Sequence, residues 1–369
     1  MSWVLTILGI VALILLHELG HFTAAKAVGM RVERFSVFFP PKLFGVRRGE
    51  TEYMIGAIPL GGFVRITGMN PQEIERLEPD VARRAYYTQP PWKRIVVILA
   101  GPGMNFLIAF LLFWAVLFSG SLNGAVALGN LNPSVKTLTP TTSVFVVAPG
   151  MPAAGVLRVG DRLLTVDGRA VNVTSAQAEI ARHLCGGRLT DGCVARTPVL
   201  LTIRRAGRTL SVSLRPRYSA ADGRMRVGFQ FDAEPRSFGP VAAAGASLRE
   251  MWGVTTQTLT GFARALTSAR VRRQITSIVG ITQTAHETVV AGTGYALVFL
   301  GFISLVLAVI NLFPFLPLDG GHVLWSLAEK LRGGRVSLNA MMRFSSVGIV
   351  LLAFLVLTGI SNDISRLAG

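Results

Sequence analysis

Charge and cysteine are scarce in this chain of 369 residues: 15% of its residues are charged, and two are cysteine. So little charge, beside 51% hydrophobic residues and a mean hydropathy of +0.50, argues against a wholly aqueous protein and for a membrane protein with a substantial aqueous part. The cysteines, Cys185 and Cys193, both lie far along the chain from the motifs described below, so neither is a candidate ligand there. The turn signals Gly186-Gly187 and Asp191-Gly192 between them fit a small disulfide-closed loop as well as two unpaired thiols. Met1-Ser2-Trp3 has no positive charge, which opposes a cleaved signal peptide even though Phe22 to Ala27 looks like a cleavage region. Evident inverted repeats are missing too, which opposes an ion transporter built on intramembrane polar residues.

What is present is apolar length. Ile95 to Phe118 runs 24 residues without a charge, Ala296 to Leu318 runs 23, and Phe344 to Ile360 runs 17. With Trp3 to about Val28 these make four candidate spans, since about 20 apolar residues cross the hydrocarbon core. Residues 24 to 94 carry 12 Lys+Arg against 7 Asp+Glu, and Lys330, Arg332, Arg335 and Arg343 lie between the last two spans. Both loops therefore read as cytoplasmic, which puts both chain ends and the long segment 120 to 293 on the other side. The net charge of +17 suits anionic lipid better than nucleic acid, because most of the charge would face outward.

Inside the first apolar run stands His17-Glu18-Leu19-Gly20-His21. On a helix its two histidines share one face and can grip a metal, with Glu18 placed to act as base on a water. Ionisable groups at membrane depth are costly and persist where they pair, bind metal or do chemistry. Zinc in catalytic sites takes three protein ligands. The best third candidate is Asp319, in Asn311-Leu312-Phe313-Pro314-Phe315-Leu316-Pro317-Leu318-Asp319-Gly320-Gly321-His322. Prolines break the helix there, paired glycines allow close backbone approach, and Asp319 is also suited to N-cap the segment that follows. His183, His286 and His322 lack partners at ligand spacing and read as structural or solvated.

These two motifs together resemble the site-2 protease family of intramembrane zinc metalloproteases, in its bacterial branch with a PDZ domain between the second and third spans. The resemblance implies His17, His21 and Asp319 as zinc ligands, Glu18 as general base, and hydrolysis of a peptide bond within or beside a transmembrane segment. Tyr53 to Arg65, with Gly61, Gly62 and Phe63, looks like that family's membrane-dipping β-hairpin, whose edge can pair with an unwound substrate. Gly101-Pro102-Gly103-Met104-Asn105 resembles its second-helix signature. Asn105 reads equally as a substrate contact or as helix packing, and Asn311 as an oxyanion donor or a cap on unwound backbone. Two departures stand out: Pro314 and Pro317 are spaced more widely than in the family, and Thr276 to Ile281 replaces its Ser-Gly-Pro-like element.

The expected fold is membrane α-helical, with four transmembrane helices, a membrane-associated β-hairpin and an inserted α+β PDZ domain. Its expected divisions are 1–29, 30–93, 94–119, 130–217 for the PDZ domain, 238–293 for an interfacial connector, 294–318 and 343–361. Pro152 to Asp161 and Val166-Asp167-Gly168 look like PDZ signatures. The resemblance implies Zn2+ as cofactor, a cell inner membrane location, and single-span membrane proteins as substrates, such as anti-sigma factors or remnant signal peptides. A peptide ligand of the PDZ domain fits; nucleic acid does not. A zinc-binding adaptor without hydrolysis is the alternative, opposed by Glu18, which a structural zinc site does not need.

Overall fold

The computed structural model describes residues 2–58, 61–132, 134–220, 222–273, 275–334 and 336–368. Two compact units emerge: Met1–Val135 with Ser237–Gly369, and Lys136–Arg236. The first unit begins with α1 (Ser2–Ala27), β1 (Val32–Ser36), β2 (Phe39–Arg48), β3 (Thr51–Ile58), β4 (Phe63–Ile66), α2 (Pro79–Ala82), α3 (Pro91–Ser119) and α4 (Leu122–Leu131). The second holds β5 (Leu138–Val147), β6 (Arg162–Val166), β7 (Arg169–Ala170), α5 (Val173–Ala181), β8 (Val199–Arg205), β9 (Arg208–Leu214), β10 (Arg217–Ser219), β11 (Arg224–Arg226) and β12 (Phe229–Pro235). The chain closes the first unit with α6 (Pro240–Thr267), α7 (Ala269–Arg272), α8 (Ile278–Ala291), α9 (Thr293–Asn311), α10 (Asp319–Arg332) and α11 (Leu338–Ala368).

Among the described residues four helical stretches are long and apolar enough to cross a membrane: α1, α3, α9 and Arg343–Ser365 of α11. The third ends at Asn311, short of the expected 318, because Pro314 and Pro317 cannot continue it. Helix α3 is the axis of this unit, packing on α1, α9, α10 and α6. Its buried Ala109, Phe113 and Leu117 meet Leu305 of α9 and Ala246 of α6 in one core. At its other end Arg94 forms a buried ion pair with Glu329 of α10 and stacks over Tyr87, which fastens α10 to α3.

The segment expected as a hairpin is not one. The four strands lie in the order β2-β3-β1-β4, so Tyr53 to Ile58 of β3 and Phe63 to Arg65 of β4 are separated by β1. The reason is burial: Val32 and Ser36 are enclosed, and a strand covered that way takes a central position, parallel to β3 and antiparallel to β4. The true hairpin is β2 with β3, and it exposes Leu43, Phe44 and Val46. Pro59 and Leu60 of the motif lie outside the described residues.

In the second unit a sheet of order β12-β5-β6-β8-β9, with β7 on β6, packs Leu163, Val166, Leu201 and Ile203 against Ala176 and Ile180 of α5. It runs beyond the expected end at 217 because β12 completes the sheet by pairing with β5. Cys185 and Cys193 form a disulfide.

Glu250 of α6 is fully buried, and neither carboxylate oxygen has a hydrogen-bond partner among the described residues. Burial pushes its carboxyl up from 4.5 to about 8, so the folded chain keeps the proton at neutral pH. An unfolded chain releases that proton above its ordinary value. Stability from this group is therefore full below pH 4.5 and is lost as pH rises toward 8, by about 1.4 kcal/mol per unit. The thermal midpoint of the detergent-solubilised protein should fall across that window, and Glu250→Gln should flatten the fall. Equal slopes in the two proteins would remove Glu250 from the pH dependence.

Candidate metal centre

Helix α1 carries His17, Glu18 and His21 at the spacing that puts the two imidazoles on one face, and their Nε2 atoms are 3.2 Å apart. Gly101 of α3 makes this possible, since a Cβ there would sit 2.2 Å from His21 Nε2. The Gly-Pro stretch of α3 thus leaves room for a ligand rather than merely for helix contact. His21 donates its Nδ1 hydrogen to the Val97 carbonyl at 2.9 Å, which leaves the Nε2 lone pair free toward the site.

Asp319 arrives from the first turn of α10. Its Oδ2 lies 3.2 Å from His17 Nε2 and 3.3 Å from His21 Nε2. The carboxylate does not cap its helix: Leu318 is the N-cap residue and no side chain caps there. A Cβ on Gly320 would meet the Leu312 carbonyl at 2.2 Å, so only glycine lets α10 start this close to the turn before it. The paired glycines therefore admit the chain's own preceding turn, and that turn delivers Asp319.

All three donor atoms lie within 4.8 Å of one another, the one group of its kind among the described residues. Oδ2 of Asp319 is buried and no group donates a hydrogen bond to it. With their lone pairs turned inward, two ring nitrogens and a carboxylate oxygen crowded together repel each other unless a proton or a metal ion lies between them. The set, two imidazoles and one carboxylate, suits zinc with a fourth position left open.

A cavity of about 460 Å³ opens on this cluster, lined by Glu18, Gly61, Gly62, Phe63 and Asn311 besides the three donors. Glu18 lines it beside the donors, with Gly62 so near that a Cβ would stand 3.2 Å from Glu18 Cγ. Asn105 is placed differently: it is fully buried and its amide Nδ2 lies 3.1 Å from His17 Nδ1. For His17 to offer a lone pair at Nε2, its hydrogen must be on Nδ1 and must face an acceptor. A flip of the Asn105 amide would turn its oxygen, which has no hydrogen-bond partner among the described residues, toward that hydrogen when zinc is bound. Asn105→Leu should weaken zinc binding about 10–100-fold, measured by competition with a chelator, while the helices stay folded. Unchanged affinity would assign Asn105 to packing.

His183 hydrogen-bonds Asp167 and Thr197, and His286 stacks on Trp3, so neither joins a metal cluster. His322 lines the cavity, a position that sequence reasoning missed. The available signal was its place three residues after Asp319, one turn along the same helical face.

The model of peptidase family M50 matches residues 5–355. Zinc metalloprotease Rip1 of Mycobacterium tuberculosis is 32% identical over 355 residues, covering 89% of this chain and 86% of that protein. A putative zinc metalloprotease of Nostoc is 30% identical over 364 residues, covering 95% and 93%, and one of Xylella fastidiosa is 28% identical over 438 residues, covering 95% and 96%. The helical membrane architecture, the two-histidine, one-aspartate cluster and this kinship have one meaning: the chain belongs to peptidase family M50 and is a membrane-embedded zinc metalloendopeptidase.

Proposed function

We propose that this enzyme cleaves peptide bonds within or beside the transmembrane segments of single-span membrane proteins. The observation that carries the reading is that His17 and His21 are buried on α1, itself an apolar helix of membrane-spanning length. A substrate bond must then reach the site at membrane depth. The ion supplies Lewis acidity when bound, acidifying a water and polarising a carbonyl. Glu18 accepts the proton of the attacking water and passes it to the leaving nitrogen.

A helical substrate must unwind first, because its own hydrogen bonds occupy the carbonyls. Strand β4 suits that need. It is an edge strand of its sheet, and Phe63, Val64 and Ile66 line the cavity. An unwound segment can add to that edge through main-chain hydrogen bonds, which read no side chains. The exposed apolar side chains of the β2–β3 hairpin fit a lipid-facing role.

The second unit fits an extracytoplasmic PDZ domain. Its disulfide suits an oxidising compartment. Between edge strand β12 and α5 runs a groove of about 440 Å³ floored by Val173, Ile180, Val227 and Phe231, shaped to take an extended peptide as an added strand. Both chain ends are on the same side, with the enzyme in the inner membrane. Substrates of this kind include anti-sigma factors already shortened outside and remnant signal peptides.

The test is proteolysis in reconstituted vesicles. A single-span substrate should be cut inside or next to its apolar segment, located by mass spectrometry of the products. Cleavage confined to soluble portions of the substrate would overturn the intramembrane reading.

A further inference from the structure

His322 is outside the three-donor cluster, yet its ring lines the same cavity as Glu18. It sits on α10 one turn after Asp319, on the face that turns to the site. The residue is half-buried, while its Nδ1 is enclosed and has no hydrogen-bond partner among the described residues. The part of the ring open to the cavity is therefore the opposite edge, which carries Nε2. Tyr86 packs edge-on against the ring, centroids 6.2 Å apart and planes at 81°, and fixes its orientation. A neutral imidazole has one N–H. On Nδ1 that hydrogen meets no acceptor; on Nε2 it points where a substrate would lie.

We propose that His322 is a further catalytic residue whose Nε2–H donates a hydrogen bond to the carbonyl oxygen of the peptide bond being cleaved. This rests on the hydrolytic reading of the site given above. As the water oxygen bonds to the carbonyl carbon, the π pair moves onto the carbonyl oxygen and the water's proton goes to Glu18. When the C–N bond breaks, its electron pair leaves with the nitrogen, which takes the proton from Glu18. His322 keeps its own proton throughout. Its hydrogen bond is strongest while the oxygen is negative, so it lowers the barrier more than it tightens binding.

The experiment uses the full chain, zinc-loaded in detergent, with a single-span substrate and a phosphinic peptide that mimics the tetrahedral state. His322→Phe should lower kcat about 10²–10³-fold with KM and zinc content unchanged, and should weaken the phosphinic peptide by a similar factor. His322→Gln, which keeps an N–H donor, should recover part of kcat. Wild-type kcat in His322→Phe, or a rise in KM alone, overturns the proposal. Should that variant fail to fold, 15N-histidine spectra of the wild type decide: the Nε2–H tautomer, with its proton moved downfield by the phosphinic peptide, is expected, and an Nδ1–H tautomer is fatal. Wild-type protein that cleaves nothing defeats the hydrolytic reading itself. Cleavage lost in Glu18→Gln but intact in folded His322→Phe defeats this inference alone.

Discussion

Glu18→Gln should abolish proteolysis while leaving zinc in place. Glutamine keeps the shape of the side chain beside Gly62 but cannot accept a proton. Positioned general bases contribute about 10²–10⁴-fold, so the cleavage rate should drop by at least that factor. The metal should stay because the donor cluster is His17, His21 and Asp319, without Glu18. Zinc per chain by elemental analysis, beside initial rates on one substrate, separates the two effects. Loss of zinc together with activity would make Glu18 a ligand and leave the base unassigned.

Asp319→Ala should have the opposite signature, losing activity because it loses the metal. Removing it deletes the only anionic donor and leaves two imidazoles 3.2 Å apart. The fall in zinc affinity should exceed the 10–100-fold typical of a residue that merely orients a ligand. In the wild type, stripping zinc with a chelator should stop cleavage and adding zinc should restore it. In Asp319→Ala, zinc at the same concentration should restore nothing. Full reactivation of the variant would mean that another group completes the site.

Much of this centre was legible in the sequence because it is written in local spacing. Residues four apart on an apolar helix must share a face, and an aspartate beside helix-breaking prolines stands out where charge is scarce. What was not legible depended on long-range pairing. Nothing in Val32 to Ser36 announces that it lies between β3 and β4, and that placement undid the expected hairpin. Strand β12 pairs with β5 across most of the second unit, which is why that unit ran past its expected end. Asp319 was suited to cap its helix as well as to ligate, and only the second is seen: Leu318 is the N-cap residue and the carboxylate lies against the imidazoles.

The side chains around the ligands were harder still. Asn105 sits in a stretch whose glycines suggest helix packing, and its nearness to His17 arises only once α1 and α3 are laid together. His322 has no partner at ligand spacing, so alone it reads as structural or solvated. Its meaning comes from a ring facing the cavity and an enclosed Nδ1, neither of which a sequence displays.

X-ray absorption at the zinc edge of the purified wild-type protein probes the heart of this proposal most directly. Two imidazole nitrogens at about 2.0–2.1 Å and a carboxylate oxygen at about 2.0–2.2 Å should surround the ion, with the two-histidine signature halved in His17→Ala. A coordination sphere lacking paired imidazoles, or one indifferent to the loss of His17, would contradict it.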